Sequence, residues 1–525
     1  MILFHNGIIH TIDRACPQAE ALRVRRDGKI AALGSYEALR GDGVLEVDLG
    51  GRTLMPGFND AHVHVPWLGD LLTRLVNVTA ERGPDLVTLV QRFRERAEQE
   101  APGTWIQGGN YNENFLAEGR HPTRADLDAA SDRHPLVVVH TSWHAAVANS
   151  LALEWAGITR DTADPFGGHI GRDENGEPNG YLAETAMLQV LQHIPQPTAA
   201  QRRPSIRACH EHQLSLGITS ATDPNAEPVD VAAYRELDAA GQLAVRMNLL
   251  VARRSGDVDL PLPERHLSDF LRIDAVKFFA DGGLTSATAA ISQPYKETAS
   301  QGLLIYEDEE LADRMWEAHA AGFQMATHAN GDVALKQVLD IYEALDRRLH
   351  QPGLMHRIEH LALPTPEQVA QVARLGVGVA MQAVFLPAMG ATYRRYLPDE
   401  FIPRAYPARE VLDAGIPFAL STDAPVVPDD NPLIGLKAAV DRLDHRGEAL
   451  GPAQAITREE AIYAYTMGGA ILSGDAGNRG SLTPGKWADV IVLSGDPLTT
   501  PTADLLSLRV EETYVAGERV FRAED

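Results

Sequence analysis

The middle of this chain is paced by short apolar segments that read as strands, most of them separated by helical patterns. That rhythm restricts the fold more than any other feature of the sequence. The segments are Leu54–His64, Gly217–Asp223, Val245–Val251, Asp274–Asp281, Gln324–His328, Arg357–His360, Val377–Gln382 and Phe418–Asp423. Helical periodicity fills the intervals, as over Glu309–Ala321 and Asp332–Leu345. Strands alternating with helices assemble into a parallel sheet, because each parallel strand needs a crossover to return. About eight such units predict a (β/α)8 TIM-type barrel. The stretch from residue 66 to about 205 is too long for one connection and must hold a structured insertion.

The two ends read differently from the middle. Ile2-Leu3-Phe4 runs into Asn6-Gly7, a hairpin signal. Ala21–Val24 and Lys29–Gly34 flank the turn Asp27-Gly28. Near the C-terminus, Asp489–Leu493 reads as a strand, and Val510 to Val520 as two strands around Ala516-Gly517. Both ends are therefore β-rich. The expected organisation is a small β-sandwich formed by residues 1–54 and 478–525, with the barrel of residues 55–477 inserted between them.

Composition narrows the function. A net charge of −25 is a poor match to nucleic acid or to an anionic membrane surface. No apolar run is long enough to span a bilayer, and the first residues lack the basic start and apolar core of a signal peptide. A cytoplasmic protein acting on a small molecule is the expectation. The two cysteines, Cys16 and Cys209, form no metal-binding or disulfide pattern and are expected to be buried small apolar residues.

The chemistry lies at the ends of the strands. His62 and His64 close the first segment, and their i, i+2 spacing would put both imidazoles on one face of a strand. His328, His360 and Asp423 each end a later segment, and Lys277 lies inside the apolar run Ala275–Phe279. Each has an ordinary structural reading when taken singly. Asp423 could form a turn, Lys277 could snorkel, and a lone histidine could sit satisfied in a core. Together they fall where barrels build their active sites, and imidazole plus carboxylate suits zinc or a similar ion.

These segments resemble the amidohydrolase superfamily, and within it the YtcJ-like branch that includes N-substituted formamide deformylases. The likeness rests on Met55-Pro56-Gly57-Phe58-Asn59-Asp60-Ala61-His62-Val63-His64, Val276-Lys277-Phe278-Phe279-Ala280-Asp281-Gly282 and Thr327-His328-Ala329-Asn330-Gly331-Asp332. It continues through His356-Arg357-Ile358-Glu359-His360, Leu420-Ser421-Thr422-Asp423-Ala424-Pro425 and Gly480–Asp489. The resemblance implies that His62 and His64 hold a buried metal and that His328 and His360 hold a second. It implies that Lys277 bridges the two as a carbamate, and that Asp423 binds metal and moves the proton of the attacking water. One or two Zn2+ ions are implied, with Mn2+ or Fe2+ as alternatives. In the insertion, His144 of Thr141-Ser142-Trp143-His144 would contact the oxyanion or leaving group, and Glu184 would approach the metal site. Asn112-Glu113-Asn114 departs from a tryptophan-containing pattern, and Trp143 is bulkier than the usual residue.

The expected activity is metal-dependent hydrolysis of a C–N bond in a small amide or N-formyl or N-acyl amine. A deaminase, cyclic-imide hydrolase or ester/lactone hydrolase of the same superfamily is the alternative. A non-enzymatic binding or regulatory barrel is a third reading, since fold alone does not give function. The zinc deaminases of nucleic acids are excluded, because their H-x-E and P-C-x-x-C signature is absent. A homodimer is the expected assembly.

Overall fold

A computed structural model describes residues 1–79, 82–254 and 260–524. Its centre is a run of eight parallel strands: β1 (Phe58–Asp60), β2 (Ile218–Ala226), β3 (Arg246–Ala252), β4 (Leu271–Phe279), β5 (Gln324–Ala329), β6 (Arg357–His360), β7 (Gly378–Met381) and β8 (Phe418–Leu420). Neighbours in sequence are neighbours in the sheet from β1 to β8. The ring closes through hydrogen bonds just beyond the strands. Thr422 donates to Asp60 from its backbone N–H (3.0 Å) and its hydroxyl (2.5 Å). Asp423 N–H donates to the His62 carbonyl and His64 N–H to the Ala424 carbonyl, both at 2.8 Å. Interior positions are apolar and fully buried, as at Phe58, Met247, Ile273, Val276, Met325 and Ile358. This gives the near-continuous apolar runs expected of a sheet covered on both faces.

The terminal segments form two further sheets. One has the order Ile30–Gly34, Ala21–Val24, Ile2–His5, Leu45–Asp48. The other has the order Glu518–Arg522, Val510–Val515, Val490–Leu493, Thr53–Pro56, Ile8–His10, Gln18–Ala19. They share a core of Phe4, Leu22, Leu54, Val490, Val492 and Tyr514. Asp489, at the end of the matched segment Gly480–Asp489, clamps Arg246 of β3 with contacts of 2.6 and 3.0 Å, tying this sandwich to the barrel. The insertion carries its own six-stranded sheet between Val76 and Glu184. Among the described residues, no helix is long and apolar enough to cross a membrane.

Several sequence expectations are corrected. Leu54–His64 is not one strand. Thr53–Pro56 pairs with Val490–Leu493 in the sandwich, and only Phe58–Asp60 enters the barrel. Gly57 makes the change of sheet, where a β-carbon would stand 2.2 Å from Thr219 Oγ1. Asn6-Gly7 is no hairpin turn. Ile2–His5 and Ile8–His10 belong to different sheets, so the left-handed Asn6 (φ 58°) passes the chain from one to the other. Cys16 is exposed, whereas Cys209 is buried.

Candidate metal centre and active site

Residues at the C-terminal ends of the barrel strands meet at one end of the barrel. His62 and His64 do not share a strand face as their spacing suggested. His62 lies in the bend after β1, and His64 caps the helix Val65–Thr73. The bonds that close the barrel bring them to Asp423. His62 Nε2 stands 3.3 Å and His64 Nε2 3.1 Å from Asp423 Oδ1. One ligand atom from each of the three lies within 4.8 Å of the others, an arrangement that could hold a metal ion. Asp423 Oδ1 is buried yet receives no hydrogen bond of acceptable alignment. Lone-pair atoms converging on one point without aligned hydrogen bonds are the donor geometry of a cation site, and two imidazoles with a carboxylate suit a divalent ion such as zinc.

The remaining expected ligands adjoin this group but are less tightly gathered. His328 and His360 end adjacent strands β5 and β6, with ring centroids 4.5 Å apart; His360 is 5.0 Å from His62. Gln382 takes His360 Nδ1 at 2.6 Å, which leaves His360 Nε2 free. His328 Nε2 is instead turned to the Gly282 carbonyl at 3.2 Å. Lys277 projects from β4, flanked in the sheet by the small residues Ala252 and Ala326. Its Nζ is buried without a hydrogen-bond partner, 4.7 Å from the Phe279 ring centre.

Backbone strain aims two of these groups. On a regular strand, neighbours point to opposite faces. Yet Glu359 and His360 both reach the centre, because His360 adopts φ 76° and Leu361 φ 47°. Asp423 is also left-handed, at φ 58°. Non-glycine residues pay for that conformation, and active sites are where such strain collects.

Sequence reasoning missed the supporting groups. Glu359 Oε2 accepts from His62 Nδ1 at 2.5 Å, so His62 presents Nε2 to the centre. Arg357 grips the same carboxylate with contacts of 2.5 and 2.8 Å. The only signal in the sequence was the alternation of Arg357 and Glu359 on one strand face. Asp281 caps the turns after β4 and β5 by accepting from the backbone N–H groups of Ala290, Asn330 and Gly331 at 2.8–3.0 Å. Asp223, on β2, lines the cavity and accepts from the Tyr234 hydroxyl at 3.2 Å.

Burial and neighbouring charge set the protonation of the site. Burial takes His64 down to about 4 and His360 to about 3, against the pull of Asp423, so both imidazoles are neutral near pH 7. Burial also disfavours a charged His62, but Asp423 and Glu359 outweigh it and raise its pKa. Burial would raise the Asp423 carboxyl, yet His62, His64 and His360 hold it well below the usual range. The Lys277 amine is driven down to about 8 by burial.

The insertion supplies the facing wall. His144 Nδ1 contacts Glu184 Oε2 at 2.9 Å, leaving Nε2 free, and its ring centroid is 5.2 Å from that of His328. Glu184 therefore serves His144 first. Gly282 and Gly283 make room for the pair: β-carbons there would lie 2.2 Å from Glu184 Oε1 and 2.9 Å from His144 Cδ2. The cavity measures about 560 Å³ and is lined by His62, His64, Lys277, His328, His360 and Asp423 on the barrel side. Ser142, Trp143 and His144 face them from the insertion. That volume suits a small molecule.

The amidohydrolase family model matches residues 45–521. YtcJ of Bacillus subtilis is 30% identical, with 99% of each chain covered. An N-substituted formamide deformylase of Arthrobacter pascens is 30% identical over 98% of this chain and 97% of its own. Among solved structures, a metal-dependent hydrolase of Pyrococcus horikoshii matches with a TM-score of 0.77 and 27% identity, over 96% of this chain and 99% of that one.

Proposed function

Because this chain belongs to the amidohydrolase family, whose fold and divalent-metal dependence it shares, we propose that it hydrolyses the C–N bond of a small amide, in particular an N-formyl or N-acyl amine. The observation that carries the reading is the convergence of His62, His64 and Asp423, with His328, His360 and Lys277 around them. The likeness to a formamide deformylase over nearly the full length supports an amide over an ester.

His62, His64 and Asp423 would hold one ion, zinc by donor type, and His328 and His360 a second. Lys277 joins them if its amine adds to CO2 and loses a proton; its buried Nζ has no competing hydrogen bond. A divalent ion held there supplies Lewis acidity, which acidifies water and polarises a carbonyl. Asp423 takes the proton of the attacking water at a carboxylate oxygen and returns it to the departing nitrogen. His144, oriented by Glu184, which raises its pKa against burial, donates as the imidazolium from Nε2 to the carbonyl oxygen as negative charge grows on it.

The test is amine release from a panel of N-formyl and N-acyl amines, with metal content measured on the same sample. Asp423→Asn should lower kcat by about 10²–10⁴-fold if the carboxylate shuttles the proton. Wild-type protein that retains metal, ignores every amide and cleaves esters or lactones would overturn the reading.

A further inference from the structure

The insertion loop holds a second polar chain that the proposed mechanism does not use. Ser142 Oγ lies 2.7 Å from His140 Nδ1, and the backbone N–H of Ser142 donates to that same nitrogen at 3.1 Å. A ring nitrogen that accepts from an N–H carries a lone pair, so the imidazole proton of His140 sits on Nε2. That atom is 2.9 Å from Glu113 Oε2, a close polar contact that is not aligned as a hydrogen bond. Ser142, His140 and Glu113 are all buried, at 7%, 1% and 5% exposure. The Glu113 carboxylate faces the Nε2 side of the ring, opposite the Nδ1 that serves Ser142.

This chain fixes the direction of one hydroxyl. The Ser142 hydrogen is committed to His140 Nδ1, and one lone pair of Oγ takes the His144 backbone N–H at 3.3 Å. The second lone pair is left, on a residue that lines the same cavity as the metal ligands. A freely rotating serine serves donors and acceptors alike, whereas this one can only accept. Two residues on, Glu184 holds His144 at Nδ1, which turns the His144 Nε2 toward the cavity. The cavity wall therefore offers a hydroxyl oxygen fixed as an acceptor beside an imidazole fixed in orientation.

We infer that Ser142 receives the N–H of the substrate, so that the enzyme takes secondary amides, –CO–NH–R, in preference to tertiary ones. This rests on the C–N hydrolase reading, and it concerns the leaving nitrogen rather than the metal. A group built to accept a hydrogen bond rejects an analogue that lacks the donor, because the buried acceptor is left unpaired.

The test compares kcat/KM for N-butylformamide and N-butyl-N-methylformamide in the metal-loaded wild type, Ser142→Ala and His140→Phe. The wild type should favour the secondary amide. Ser142→Ala should shrink that ratio on the order of tenfold by losing activity mainly on the secondary amide. His140→Phe leaves the cavity wall intact but frees the hydroxyl to rotate, and it should also shrink the ratio. A steric rejection of the methyl group would leave the His140→Phe ratio at the wild-type value, and this would overturn the inference. So would a Ser142→Ala variant that slows both amides equally, the mark of a structural role. If wild type turns over neither amide, the C–N hydrolase reading falls together with this one; if it turns over both without preference, only the inference falls.

Discussion

Replacing Glu359 by Gln tests how the metal centre is held. The side chain is fully buried, accepts from His62 Nδ1 at 2.5 Å and is gripped twice by Arg357. Glutamine keeps the shape but removes the charge. Two effects follow. Loss of a carboxylate behind a metal-binding histidine weakens metal affinity by about 10–100-fold. Such a loss is worth about 1.4–2.7 kcal/mol of metal-linked stabilisation. Separately, Arg357 becomes a buried charge without its partner, a defect of about 3–5 kcal/mol in the metal-free protein. The two are separable. Metal affinity is read by competition with a chromophoric chelator, and folding by thermal unfolding with and without metal. Glu359→Gln should lower both. The double variant Arg357→Met/Glu359→Gln should regain the metal-free unfolding temperature, because no lone charge remains, while its metal affinity stays low. A folded Glu359→Gln protein that binds metal within about threefold of wild type would refute the argument that this carboxylate orients His62.

Two other perturbations follow from the same geometry. Gly282→Ala places a β-carbon 2.2 Å from Glu184 Oε1 and 2.3 Å from Thr288 Oγ1. It should push Glu184 off His144 and cut kcat while leaving metal content unchanged; wild-type turnover would show that the contact is dispensable. Glu113 is held down to about 2 by His140, below its ordinary 4.5. Because the folded pKa is the lower one, its stabilisation is full above about 4.5 and is lost as pH falls toward 2. Glu113→Gln should therefore lower the unfolding temperature at pH 6 and lose that deficit near pH 2–3. A deficit that persists at acid pH would rule out the charged contact as its source.

The barrel was legible because its strands are covered on both faces and end in polar residues. Arg357–His360 falls where the apolar run placed it, and Gln324–Ala329 runs one residue beyond the expected end. The candidate ligands His62, His64, His328, His360 and Asp423 stood out for the same reason, as polar stops of apolar runs, and Lys277 as a charge inside one. What stayed hidden depends on closure of the chain over long separations. Nothing near Glu359 in the sequence says that it meets His62, almost 300 residues away. The split at Gly57 was hidden because two adjacent apolar strands in different sheets read as one. Left-handed His360 and Asp423 were hidden too, since neither is a residue that favours that conformation locally; Asp423 is held there by its N–H bond to the His62 carbonyl.

That strain bears on how the site divides its labour. Left-handed backbone at His360, Leu361, Asp423, Trp143 and Glu184 costs roughly 1–2 kcal/mol per residue. A cost of that size persists only where packing and hydrogen bonding over-determine the conformation. At Asp423 the restraint is the closure network of Asp60, Thr422, His62 and Ala424. On the insertion side it is the anchoring of the loop to the chain beyond Asp423. Thr141 Oγ1 donates to the Val426 carbonyl at 2.7 Å, and Asn110 Nδ2 to the Pro425 carbonyl at 2.5 Å. The same short segment, Asp423–Val426, thus fixes the Asp423 carboxylate and positions the wall that carries Ser142 and His144. The barrel can hold a metal with little reference to the substrate, while the insertion can change what the cavity recognises without disturbing His62, His64 or Asp423. The candidate metal ligands and the facing wall are thus carried by different parts of the chain, joined at one point beside Asp423.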